Sequence, residues 1–225
     1  MSMSCARALR TAALCVVLVG GSSVAHAATI NGTGGNDTLN GTSGRDTING
    51  KHGKDRINGR AGNDKLRGGG GADTVDGGSG DDRLLLHDGR DRGIGGRGDD
   101  RIRANDGGDW LEGGAGNDTL AGGNHDDMVD GGKGDDDLNG GEGNDQISDG
   151  PGNDKVVAGD GDDVITLGPG RDTVDAEGGD NRVMATSDGS VDTISCGPGP
   201  ADVLIYAGAQ DPLDLIDGCE TISVT

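Results

Sequence analysis

An aspartate stands at every ninth residue from Asp37 to Asp172, and only Asn181 ends the series. Carboxylates in such number can do two kinds of chemistry. A differentiated pair can act as general acid and base, and a repeated set can hold hard cations through oxygen. Strict spacing favours ligands, because catalysis needs one unlike pair whereas metal sites can be copied. His52, His87 and His125 fall at different points of the period and share no ligand spacing, which argues against a transition-metal site. There is no G-x-S-x-G nucleophile motif, and Gly68-Gly69-Gly70-Gly71 lacks the Lys-Ser/Thr that a phosphate loop requires. No catalytic residue is therefore expected, and the chain is not read as an enzyme.

The elements that position these acids follow from the same period. Seventeen nine-residue units run from Gly32 to Met184, with the acid in sixth place. A glycine precedes each acid by two places, broken only by His125, and an aliphatic residue follows by two, broken only by Gly93. A fixed period of this kind marks a stacked solenoid. One aliphatic per nine residues cannot make a helix stripe. In a typical unit, Gly113 to Asp118 reads as a turn and Thr119-Leu120-Ala121 as a three-residue strand with its middle side chain inward. Two units then form one flattened coil, and coils stack about 4.8 Å apart.

Stacking places the acids in two columns of residues eighteen apart. One runs Asp64, Asp82, Asp100, Asp118, Asp136, Asp154, Asp172; the other runs Asp73, Asp91, Asp109, Asp127, Asp145, Asp163. Neighbouring carboxylates repel by ~1 kcal/mol in water and by more at lower dielectric. A bare column opposes folding, and a divalent ion between successive turns reverses the sign. Oxygen ligands on flexible glycine turns suit Ca²⁺ better than Mg²⁺.

The units match G-G-x-G-x-D-x-U-x, most fully at Gly77 to Asp82, Gly95 to Asp100 and Gly131 to Asp136. In this the chain closely resembles the RTX (haemolysin-type) calcium-binding nonapeptide repeats. The resemblance covers 32–184 and implies an all-β, right-handed parallel β-roll with Ca²⁺ held by turn carbonyls and sixth-place carboxylates. The candidate ligands are Asp64, Asp73, Asp82, Asp100, Asp109, Asp118, Asp127, Asp136, Asp145, Asp154, Asp163 and Asp172. Paired glycines at 77, 95, 113 and 131 point to the strongest sites between Asp82 and Asp136. Side chains replace leading glycines at Leu86 and Ala104, and Gly93 leaves a gap in the inward row. Weaker sites and a distortion over 86–94 are expected there.

Composition agrees that something beyond a core must stabilise the fold. The chain has 49 Gly, no Phe, one Trp and one Tyr, too little apolar bulk for an ordinary domain of 225 residues. The formal charge of −21 argues against nucleic acid and anionic membranes as partners and favours cations. Charge is uneven: residues 32–67 hold seven bases against four acids, whereas 68–225 hold 36 acids and 10 bases. The basic end could meet anionic polymer or the acidic end of another copy, or it could be simply solvated.

Residues 1–27 read as a secretory signal peptide, with Arg7 and Arg10, an apolar run from Thr11 to Gly20 and the small-residue site Ala25-His26-Ala27. That run is too short to span a bilayer, and the mature chain is expected outside the cell or in a periplasm. Cleavage would leave Cys196 and Cys219, which most simply pair, the alternative being two free thiols. They fall in 185–225, where Pro198 and Pro200 interrupt the register and Val203 to Tyr206, Leu213 to Ile216 and Thr221 to Val224 look like strands. This region is read as an end cap, or else as a separate binding region. The role expected first is structural or calcium-sequestering. The alternative is a surface-binding module for envelope polysaccharide or ice, and self-association is a further possibility. A flat Thr or Asn ladder, which ice would need, is not formed by the outward Thr38, Arg56, Thr74, Arg92 and Trp110.

Overall fold

The computed structural model describes residues 27–208 and 210–224. All but the last residue of the expected signal peptide lies outside them. Among the described residues there are 22 strands, β1 (Thr29–Asn31) to β22 (Thr221–Val224), and no helix. No helix among them is long and apolar enough to cross a membrane. Odd-numbered strands form one eleven-stranded parallel sheet and even-numbered strands the other. Thr119 pairs with Arg101 on one side and Asp137 on the other, so the register advances by eighteen residues, two units, per coil. The fold is a parallel β-solenoid, as the period predicts.

Most strands are twice the expected length. β11 (Thr119–Asn124) runs six residues through the first, second and third places of the next unit, leaving only Gly116-Asn117-Asp118 and its counterparts as turns. The reason is that first-place residues also face inward, as the burial alternation shows, so pairing continues past the aliphatic residue. Bends are made at the second and fourth places, where Gly114 and Gly116 have φ of 111° and 135°. A methyl on Gly114 would collide with the carbonyl oxygen of Gly96 one coil away, so a side chain there is excluded by contact as well as by φ.

The core is a row of eighth-place aliphatics, among them Ile48, Leu66, Leu84, Ile102, Leu120 and Leu138, all buried. The expected distortion at 86–94 does not occur. β7 (Arg83–Asp88) and β8 (Arg92–Arg97) keep full register with their neighbours. A Cβ on Gly93 would stand 3.0 Å from both the Leu86 and Ile102 side chains, so Leu86 fills the space that Gly93 opens. Towards the C-terminus a second inward row, Ala158, Leu167, Ala176, Ala185, Cys196 and Tyr206, takes over first places or their equivalents.

The region after 184 continues both sheets instead of leaving them. β19 (Thr193–Ser195) pairs with β21 (Leu215–Asp217), and β20 (Val203–Ala207) with β22. The coil lengthens: the Asp172 amide reaches residue 192, that of Asn181 reaches 202 and that of Asp192 reaches 214. The lengthened stretch also contains Pro198 and Pro200, which cannot donate to the ladder. The expected strand at Leu213 begins instead at Leu215. Cys196 and Cys219 form a disulfide between these coils, with Cα atoms 5.1 Å apart. The buried Tyr206 hydroxyl donates to Asp214 Oδ2 at 2.7 Å. On the last coil Leu213, Leu215, Ile222 and Val224 are exposed.

Candidate metal centres

Each sixth-place aspartate precedes a strand and turns its carboxylate inward along the stack. Its Oδ1 accepts the backbone N–H of the aspartate one coil earlier: Asp64 donates to Asp82, Asp82 to Asp100 and Asp100 to Asp118, each at 2.7 Å. The other column is built alike, from Asp73 to Asp91 and from Asp109 to Asp127. From Asp46 to Asp172 these residues are at most 3 % exposed. Every predicted ligand is therefore in a column: Asp64, Asp73, Asp82, Asp100, Asp109, Asp118, Asp127, Asp136, Asp145, Asp154, Asp163 and Asp172. In all twelve, and in Asp55 and Asp91, Oδ2 is buried without a hydrogen-bond partner. Orphaned buried carboxylate oxygens in this number demand an explanation.

The surroundings supply it. The point where a Cβ would stand on Gly77 lies 2.5 Å from Asp82 Oδ2 and 2.7 Å from the Gly95 carbonyl oxygen. The same point on Gly95 lies 2.5 Å from Asp100 Oδ2 and 2.6 Å from the Gly113 carbonyl. A carboxylate oxygen and a carbonyl oxygen thus converge beside the first-place glycine, where a side chain would collide with both, and no hydrogen-bond donor meets the carboxylate oxygen. A carboxylate and a carbonyl oxygen are the donor set of a hard cation such as calcium.

Three exceptions show what the space needs. In the first coil, Thr33 and Thr42 turn their backbone N–H and hydroxyl groups onto Oδ2 of Asp37 and Asp46, which are accordingly satisfied. At the other end the aspartate becomes Asn181. Its Nδ2 donates to the carbonyl oxygens of Ala176, at 3.4 Å, and Cys196, at 3.1 Å. Where the side chain carries its own donor, the carbonyl is met directly. Where it is a carboxylate, neither oxygen can donate, and a cation or a proton between them would offset their repulsion.

Burial pushes these carboxyls well above the usual range, against the lowering effect of the accepted backbone N–H. Asp127 reaches about 8, Asp64, Asp100, Asp136, Asp145 and Asp172 about 7, and Asp82 and Asp118 about 6, with neighbouring aspartates adding to the rise. Desolvation disfavours the bare anion, and a bound divalent cation supplies the opposite charge.

The sites are not equivalent. Glycine keeps the first place open beside Asp64, Asp73, Asp82, Asp100, Asp118, Asp127, Asp136 and Asp145. Leu86, Ala104, Ala158 and Leu167 instead put a buried side chain at the first places of the units holding Asp91, Asp109, Asp163 and Asp172. His125, in a fourth place, holds a positive φ of 80°, and the space at Gly122 beside Asp127 remains. Trp110 is 42 % exposed and lies under the Arg92 guanidinium, 4.0 Å from the ring centroid, a surface cation–π contact. One inward acid escapes sequence reasoning: Asp149, which occupies a first place.

Parallel coils with paired turns, each turn offering carboxylate and carbonyl oxygen to a hard cation, define a metal-binding β-solenoid. The chain belongs to the family of RTX calcium-binding nonapeptide repeats, whose four-copy profile matches residues 27–56, 52–84, 87–120, 103–138, 112–147 and 148–183. No curated protein matches it. Calcium is the ion that this family and these oxygens imply.

Asn181 suggests a direct test. Asp118→Asn should remove one calcium ion from the count by native mass spectrometry and leave the β spectrum unchanged, because the amide donates where the ion stood. Asp118→Ala leaves the Asp100 N–H without its acceptor and should destabilise by ~1–3 kcal/mol. Equal behaviour of the two variants would refute this account of the space.

Proposed function

We infer that the protein is exported and serves outside the cytoplasm as a calcium-loaded structural or calcium-sequestering rod. The carrying observation is the stack of buried Oδ2 atoms facing backbone carbonyls, against the single Asn181 amide that bridges the same gap unaided. Extracellular oxygen sites work at ~0.1–1 mM calcium, a level that the cytosol does not offer. The basic start, apolar run and Ala25-His26-Ala27 of the first 27 residues support export. The test is native mass spectrometry of the full chain expressed in a secreting bacterial host. The expected product lies outside the cytoplasm, begins at Ala28 and carries several calcium ions. Retention of residues 1–27 in the cytosol would refute export, and a folded ion-free chain would refute the calcium role.

A second reading, adhesion to an anionic surface polysaccharide, rests on one face of the odd-numbered sheet. β5 (Lys65–Gly70), β7 and β9 (Arg101–Asp106) place Lys65, Arg83 and Arg101 in one outward row and Arg67 and Arg103 in the next. All five are exposed, and none is in an ion pair among the described residues, where only Arg92–Glu112 and Lys155–Asp137 are found. Arg83, Arg101 and Arg103 border a shallow groove of about 360 Å³. On a chain of net charge −21 this basic ladder favours a polyanion. Retention on an immobilised uronic-acid polymer in calcium should fall to lower salt in the Arg83→Gln, Arg101→Gln, Arg103→Gln variant. Unchanged elution would exclude the ladder. Light scattering would show whether it instead joins two copies.

A further inference from the structure

Asp149 stands where the other units of the series carry Gly, Ala or Leu, and it is fully buried at 0 % exposure. It follows β14 (Gln146–Ser148), at the start of the unit that contains Asp154. Its Oδ1 accepts the N–H of Gly150 at 2.7 Å and of Gly168, one coil on, at 2.6 Å, which fixes the carboxylate in place. Its Oδ2 has no partner, and neither does that of Asp154 or Asp172. One carboxylate oxygen from each of the three residues lies within 4.8 Å of the other two. Where the first place is a glycine, it leaves a gap flanked by one carboxylate oxygen and one carbonyl. Here a third carboxylate has been built into that gap and aimed at the two already present.

We propose that Asp149, Asp154 and Asp172 together form a calcium site of a different kind from the repeat sites, with three carboxylates on one ion and the tightest hold on the chain. The proposal rests on the reading of the roll as calcium-binding. Three acids concentrated in a buried space oppose folding when bare, since neither a basic side chain nor a hydrogen-bond donor meets any of the three Oδ2 atoms. An ion coordinated by all three turns that repulsion into attraction. Calcium accepts several carboxylates in flexible geometry, whereas Mg²⁺ demands a tighter octahedron and retains its water. The site also links adjacent coils, since Asp149 and Asp154 belong to one and Asp172 to the next, close to where the coil begins to lengthen.

The experiment compares the wild-type chain with Asp149→Gly, which restores the common first-place residue, and Asp149→Asn, which keeps the shape. Calcium titrations at pH 7.5 are followed by circular dichroism, and bound ions are counted by native mass spectrometry at saturation. The expected result is one ion fewer in both variants and a calcium midpoint raised by roughly 1.5- to twofold, the loss of one tight site spread over about ten coupled ions. A buried acid with no ion would give the opposite sign. Removing it would relieve repulsion, lower the midpoint and leave the ion count unchanged, and that result would overturn the proposal. A variant that loses no ion overturns it wherever the midpoint lies. Wild-type chain that binds no calcium at all would instead overturn the underlying calcium reading.

Discussion

Chelation of calcium at pH 8 is expected to abolish the β-sheet spectrum of residues 28–225, and about 2 mM Ca²⁺ to restore it where the same Mg²⁺ does not. The argument is one of magnitude. A site of ~0.1–1 mM affinity contributes ~0.6–1.8 kcal/mol at that concentration, because the ion binds the folded form alone. About ten such sites reach ~6–18 kcal/mol, the size of an ordinary domain's whole stability. The apolar core is two thin inward rows, mostly one side chain deep per strand, too little to offset the entropy of ordering nearly two hundred residues. Each carboxylate is tied to the coil before it, so sites fill together and the transition should be steep. Circular dichroism against free calcium reads both midpoint and steepness. A β spectrum that survives chelation would mean that the roll stands without metal.

Acid should fold the same calcium-free chain. Asp82, Asp100 and Asp127 lie at about 6, 7 and 8 in the folded form, against 3.8 for a free aspartate. A group raised on folding contributes stability that is fully present below its unfolded value and lost as pH rises through its folded one. Calcium-free roll is therefore most stable near pH 4 and loses that stability between about pH 4 and 8. The proton does what the Asn181 amide does, giving Oδ2 a hydrogen to direct at the facing carbonyl. With calcium the dependence reverses: protons compete with the ion, so the calcium midpoint should rise as pH falls from 8 to 6. Spectra in chelator at pH 8, 6 and 4, with light scattering to detect aggregation near the pI of about 4.2, decide the matter. A chain that stays unfolded at pH 4 would show that the carboxylate columns are not what holds the apo form open.

The period made the solenoid, the eighteen-residue register and both aspartate columns legible, because each is a count of residues. Contacts that depend on which way a first-place side chain points were not legible. A three-residue strand leaves that place in a turn, where Leu86 looks like damage to a glycine motif. Once the strand is six residues long, Leu86 is seen to fill the gap at Gly93. Asp149 was missed for the same reason, although reading first places down the stack at steps of eighteen (Gly131, Asp149, Leu167) would have exposed it. The roles of Thr33 and Thr42 depend on local backbone direction, which no spacing encodes.

The bond from each aspartate amide to the carboxylate one coil later gives the rod a direction. Every coil leaves its own amide unmet until the coil on its C-terminal side is in place. At the C-terminal end of the repeats Asn181 meets its carbonyls directly, next to the Cys196–Cys219 bridge. The two ends of the stack are therefore unlike: the last repeat coils lend acceptors to the coils before them, while their own amides are met by the lengthened coils that follow.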